Sequence, residues 1–228
     1  MKEVNLIIAA MDDEVNALLE VLDHQYKEID IIDEHGYEFT INDQDYILFK
    51  GKIGKANTAF FLGRLFLQLN VKRVFNIGTS GGVNNSLNLY DVVIANKVGY
   101  HDVDVTMFDY KLGQMPGEDL YFECDNEFID SKKIDSKYSI KRGLILSGDV
   151  FVNKDNYQST NLSKFKDCLC CEMESATVGQ ICHDNKIPFV IIRSISDIVT
   201  KDFDLENNDN NVRASSTNSS LVLLELLK

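Results

Sequence analysis

Apolar and polar positions follow two rhythms along this chain. Val4–Ala10, Gly143–Leu146 and Ile187–Ile192 are almost wholly apolar apart from Pro188 and a few single polar residues. Continuous runs of that length predict strands buried on both faces of a largely parallel sheet. Val71–Ile77 and Val92–Ala95 read as two further buried strands. Between them the period lengthens. After Asp12, a candidate helix cap, Val15, Leu18, Leu19 and Leu22 fall on one face of a helix ending near Leu22. A second helix is predicted from Ala56 to Leu69 and a terminal one over Ser219–Lys228. Asp30–Phe49 alternates around His35-Gly36 and Asn42-Asp43 and predicts a hairpin. Gly51–Lys55, Gly78–Gly82, Tyr100–Pro116 and the acidic, Asn-rich Lys201–Asn211 read as loops, and Lys154–Lys166 as a polar surface segment.

This order of strands and helices, without an internal repeat or a linker, predicts one α/β domain over residues 1–228. The charge balance then narrows the partners. Lys and Arg number 23 against 36 Asp and Glu, a net charge of −13, which argues against nucleic-acid and anionic-membrane partners. The apolar start is too short for a secretory leader and meets Asp12-Asp13-Glu14 at once. No later run approaches the ~20 residues of a membrane span. Cysteines at 124, 168, 170, 171 and 182 are odd in number and lack framework or Cys-x-x-Cys spacing, so they read as reduced, buried small residues of a cytoplasmic protein.

The candidate chemistry gathers where strands end. Glu14 follows the first strand, Thr79 and Gly81 the Val71 strand, Phe151 and Val152 the Gly143 strand, and Arg193 and Asp197 the last. Ligands of open α/β sheets bind at such ends, and charges there must be paired or at work. Taken singly, each has an ordinary reading: Glu14 as favourable charge in a helix's first turn, Gly78–Gly82 as a common turn, Phe151 as core. Neither glycine-rich stretch fits a nucleotide fingerprint. Gly78–Gly82 lacks Gly-x-Gly-x-x-Gly spacing, and Ala56 stands where a phosphate loop requires Ser or Thr. His101, Asp102 and Asp104 have no second histidine nearby in sequence, and a hydrogen-bonded cluster is preferred over a metal site. Together, carboxylates from different strand ends facing one pocket suit acid/base cleavage of a glycosidic bond.

At these same positions the chain resembles the 5′-methylthioadenosine/S-adenosylhomocysteine nucleosidases of the nucleoside phosphorylase superfamily. The likeness rests on Ile8–Val15, Gly54-Lys55, Asn76–Gly82, Tyr100–Thr106 with Phe108 and Gly113-Gln114, Ser147–Phe151, Glu172-Met173-Glu174 and Arg193–Asp197. It implies a single-domain mixed central sheet flanked by helices, nucleoside phosphorylase-like. It also implies hydrolysis of small adenine thionucleosides without metal or cofactor. Asp197 would protonate purine N7, with Ser196 also at the substrate. Glu14 would hold the attacking water with Arg193 and Thr79. Glu174 and the Met173 backbone would bind ribose, Phe151 and Val152 the base, and Gly81 would lie over the sugar. Met11, Ile53 and Val105 would line the thioalkyl pocket, and a homodimer partner would close it with Phe108 and Pro116. The neutral Asn76 stands where superfamily phosphorylases place an arginine. Lys201–Asn211 departs from the family's Phe-containing helix start, which leaves Phe203 without a role.

Overall fold

The computed structural model describes residues 3–135, 137 and 139–228. Its backbone is the long strand β5 (Asn70–Gly82). The apolar first half of β5 pairs in parallel with β1 (Glu3–Ala9) and with β10 (Phe189–Ile198). Its glycine-rich second half continues along β10 and meets β9 (Cys168–Glu172) antiparallel at Gly81 and Gly82. Gly78–Gly82, expected as a loop, is therefore strand. Glycine keeps extended geometry available while presenting no side chain to the groups that crowd against it.

β9 pairs with β8 (Ile140–Ser147), β8 with β6 (Val92–Tyr100), and β6 returns to β10. The five strands β5, β10, β6, β8 and β9 thus close on themselves as a small barrel. From β1 an arm extends outward through β4 (Gln44–Lys50), β3 (Glu34–Ile41) and β2 (Lys27–Ile31). The two-residue β7 (Phe122–Glu123) adds to β6. The result is a mixed sheet with helices around it, the class expected from the sequence.

Two turns shape the arm. Ile32-Asp33 and Asn42-Asp43 all have positive φ, the geometry of tight hairpin turns. The first turn lies ahead of His35-Gly36, where the sequence suggested it. Gly36 is instead inside β3 against the Phe49 ring, leaving no room for a Cβ.

Helix α1 (Asp12–Val21) packs with α5 (Asn208–Leu227) against β10 and β5, while α2 (Lys55–Phe66) lies on α4 (Ser175–Asp184), which covers β6 and β8; the short α3 (Asn126–Asp130) follows β7. Met11, rather than Asp12, is the α1 cap residue. Helix α5 begins well before the predicted Ser219. Ser215, Ser216, Ser219 and Ser220 are all fully buried on its inner face, so close packing overrides the weak helix propensity of an Asn- and Ser-rich stretch. Among the described residues no helix is long and apolar enough to cross a membrane.

Candidate active site

Where α1, β5, β9, β10 and the segment after β8 converge, the structure holds a cavity of about 240 Å³. The glycines of β5 form one wall. A Cβ on Gly78 would strike the Glu14 carboxylate, and one on Gly81 would lie 3.1 Å from Asp197 Oδ2. Two carboxylates from opposite ends of the chain can therefore rest directly on the same bare backbone.

Glu14 is held from below. Its Oε2 accepts the N–H groups of Ala10 (2.9 Å) and Met11 (3.1 Å), and its Oε1 accepts that of Thr79 (2.9 Å). Burial raises its pKa nonetheless, against the opposing pull of Arg193 and these N–H groups. Asp197, at the end of β10, accepts a hydrogen bond from the Ser196 hydroxyl at 2.9 Å. Burial again raises its pKa, with Ser196 pulling the other way. A carboxyl shifted upward retains a proton nearer neutrality, which a general acid requires.

Beneath these two lies an ionic frame. Arg193, only 2% exposed, donates to Glu172 Oε2 at 2.7 Å and to Asn76 Oδ1 at 2.5 Å, and stands 4.0 Å from Glu174 Oε2. Glu172 also accepts the Ser147 hydroxyl and the N–H groups of Glu174 and Ser175 at the start of α4. Burial opposes its ionisation, but Arg193, Ser147 and Ser175 together hold its pKa below the usual value. Glu174 has the opposite fate. Burial and the neighbouring Glu172 outweigh Arg193 and the Gly54 N–H (2.9 Å) and push it up to about 8.

Of the residues singled out from sequence, Met11, Glu14, Ile53, Thr79, Gly81, Phe151, Val152, Met173, Glu174, Ser196 and Asp197 all line this cavity. Arg193 lies behind the wall, its charge engaged by Glu172. Val105, Phe108 and Pro116 are not among the lining residues. Val105 precedes a 3₁₀ turn over Thr106–Phe108, and Phe108 (65% exposed) and Met107 (83%) project outward. His101, Asp102 and Asp104 do not form one cluster. Asp102 accepts from Lys55 and the Asp149 N–H, and Asp104 from Thr106, while neither ring nitrogen of buried His101 has a hydrogen-bond partner. Cys168, Cys170 and Cys171 are buried thiols of β9.

Further residues line the wall, among them Phe203, which the sequence leaves without a role. Phe203 meets the half-exposed Phe151 edge-on, with ring centroids 5.4 Å apart, and Asn208 and Val212 reach the cavity from the first turns of α5. Phe203 does lie in a loop, but α5 already begins at Asn208, inside the Asn-rich stretch expected as loop. Glu172 was visible only as a neighbour of Glu174, although it carries the densest set of hydrogen bonds in the site.

Comparison with known proteins agrees with this geometry. The phosphorylase superfamily model matches residues 6–228. A 5′-methylthioadenosine/S-adenosylhomocysteine nucleosidase of Bacillus cytotoxicus is 35% identical over 97% of this chain and 98% of its own. Among solved structures, a Borrelia burgdorferi chain bound to adenine superposes with a TM-score of 0.88 at 33% identity, covering 98% of both chains. The Streptococcus pneumoniae nucleosidase of the same name, bound to the transition-state inhibitor MT-ImmA, superposes with a TM-score of 0.86 at 32% identity over 100% of this chain and 99% of that one.

Proposed function

We propose that this chain, which belongs to the 5′-methylthioadenosine/S-adenosylhomocysteine nucleosidases of the phosphorylase superfamily, hydrolyses the N-glycosidic bond of those two nucleosides and releases adenine. The observation that carries the reading is the placement of buried Glu14 and partly buried Asp197, two carboxyls of raised pKa, on one cavity. Asp197 donates its proton to purine N7 as the C1′–N9 bond breaks, so the base leaves neutral rather than as an anion. Glu14 takes a proton from the water that forms the new C1′–O bond. Anionic charge near the developing oxocarbenium lowers the barrier, and each acid/base role contributes on the order of 10²–10⁴-fold.

The other lining residues take binding roles. Glu174 and the Met173 backbone hold the ribose hydroxyls, and Gly81 lies over the sugar. Phe151 stacks on the base, whose edge meets the Val152 backbone and Ser196. Met11 and Ile53 receive the thioalkyl group, and Thr79 steadies the water beside Glu14. Arg193 acts through Glu172 and Glu174 as their shared counter-ion.

Phosphorolysis is disfavoured on charge. Among the described residues no Lys or Arg lines the cavity, and Asn76 is spent on Ile8 O and Arg193. A phosphate dianion would face Glu14 with no cation to receive it, whereas water fits that position.

Val105, Phe108 and Pro116 lie outside the cavity that one chain forms. We place a second copy against them. Met107, Phe108 and Met115 are exposed apolar residues on one segment, of the kind enriched in interface cores. A two-fold pair would carry Val105, Phe108 and Pro116 to the neighbouring pocket. The five buried thiols support a reducing compartment, the cytoplasm. Adenine release from methylthioadenosine at a rate indifferent to added phosphate would support the hydrolase, and a rate proportional to phosphate would overturn it.

A further inference from the structure

Outside the cavity, three segments far apart in sequence are tied by a closed ring of polar contacts. Lys55 Nζ donates to Asp102 Oδ2 at 2.6 Å. The same oxygen accepts the Asp149 N–H at 2.9 Å, and Asp149 Oδ1 accepts the Lys55 N–H at 2.8 Å. Side chain and backbone of Lys55, backbone and side chain of Asp149, and the Asp102 carboxylate thus form one circuit. Lys55 and Asp102 are 25% and 19% exposed in their side chains, and the ammonium lies 5.3 Å from the Tyr100 ring centroid. A partly shielded, charge-assisted pair holds its geometry better than a surface pair in open water.

What the ring touches gives it meaning. Gly54, adjacent to Lys55, donates its N–H to Glu174, and Ile53 lines the cavity. Asp149 lies two residues before Phe151, in the segment that supplies Val150, Phe151 and Val152 to the same cavity. The ring therefore fixes the distance between the donor that orients Glu174 and the aromatic wall opposite. Neither Glu14 nor Asp197 belongs to it.

We propose that Lys55 and Asp102 are positioning residues of this site: their ion pair clamps the Gly54–Lys55 turn to the Asp149–Phe151 segment, setting the sugar-binding carboxylate and the base-stacking wall at the separation a nucleoside requires. The proposal rests on the nucleosidase reading for its ligand but not for its geometry. Breaking the clamp weakens substrate binding and leaves the proton transfers in place. Loss of one hydrogen bond to a charged group, worth on the order of 1.4 kcal/mol, corresponds to a roughly tenfold rise in KM.

The test uses the full-length wild type, Lys55→Met and Lys55→Arg in two assays. Steady-state adenine release from methylthioadenosine should show KM raised roughly tenfold in Lys55→Met, kcat within about threefold, and most of the loss recovered in Lys55→Arg. Hydrogen exchange of the nucleoside-free proteins should show the 51–55 backbone exchanging faster in Lys55→Met and restored in Lys55→Arg. Lost protein stability alone would lower apparent kcat through the active fraction and leave KM unmoved. An unchanged KM with unchanged exchange, or Lys55→Arg as impaired as Lys55→Met in both assays, overturns the clamp. A wild type that releases no adenine sinks the nucleosidase reading instead, and the exchange assay still decides the clamp.

Discussion

Glu174 lies where stability and activity should move in opposite directions. Burial beside Glu172 pushes its carboxyl from an ordinary 4.5 up to about 8. A carboxyl raised in this way binds its proton more tightly in the folded than in the unfolded chain. Its contribution to stability is therefore fully present below 4.5 and is lost as pH rises through about 8. At ~1.36 kcal/mol per pH unit, ionising Glu174 inside the folded protein costs roughly 3–5 kcal/mol by about pH 9. Glu174→Gln keeps the shape and an oxygen for the Gly54 N–H but never ionises. The contact with Arg193, 4.0 Å away, strengthens only as Glu174 ionises and is already contained in its raised pKa. The Tm of the variant should thus gain on wild type between about pH 5 and 9. At ~2–4 °C per kcal/mol for a chain of this size, the gap should widen by about 6–20 °C. Thermal denaturation of both proteins across that range measures it, and adenine release from the same preparations should show KM raised, because the ribose hydroxyls lose the Glu174 carboxyl. A gap that stays constant with pH, or widens toward acid, refutes the electrostatic reading of the site.

Three further substitutions separate the proposed roles. Asp197→Asn should lower kcat by about 10² or more while adenine binding, followed by calorimetry, survives; Glu14→Gln should lose a similar factor through the water. Retention of more than about a tenth of wild-type kcat in either variant would remove that residue from its role. Phe108→Asp should yield monomer in sedimentation and lose methylthioadenosine turnover together, and a wild type fully active as a monomer at micromolar concentration would exclude the shared site.

Glu14 and Asp197, to which we assign the acid/base roles, were legible because they stand where short apolar runs stop and carboxylates begin. Glu174 was legible only as a carboxylate before a helix and through the family resemblance; all three line one cavity. Local pattern failed where packing decides. Gly78–Gly82 has loop composition, yet it is strand, because glycine alone lets Glu14 and Asp197 lie against the backbone. Cys168–Glu172 is too short and mixed to announce β9, whose pairing with β8 and β5 closes the barrel. The first turns of α5 are rich in Asn and Asp, so Asn208 and Val212 were hidden from the site. Arg193 was expected at the water, but a fully buried guanidinium needs its own anion, and Glu172 supplies it.

Water, and no other nucleophile, attacks C1′ in the proposed reaction. Reaction of methylthioadenosine in ¹⁸O-labelled water containing inorganic phosphate, followed by mass spectrometry of the sugar product, tests it most directly. Methylthioribose carrying one ¹⁸O at C1, with no sugar phosphate, is the expected product. An unlabelled sugar 1-phosphate would contradict it.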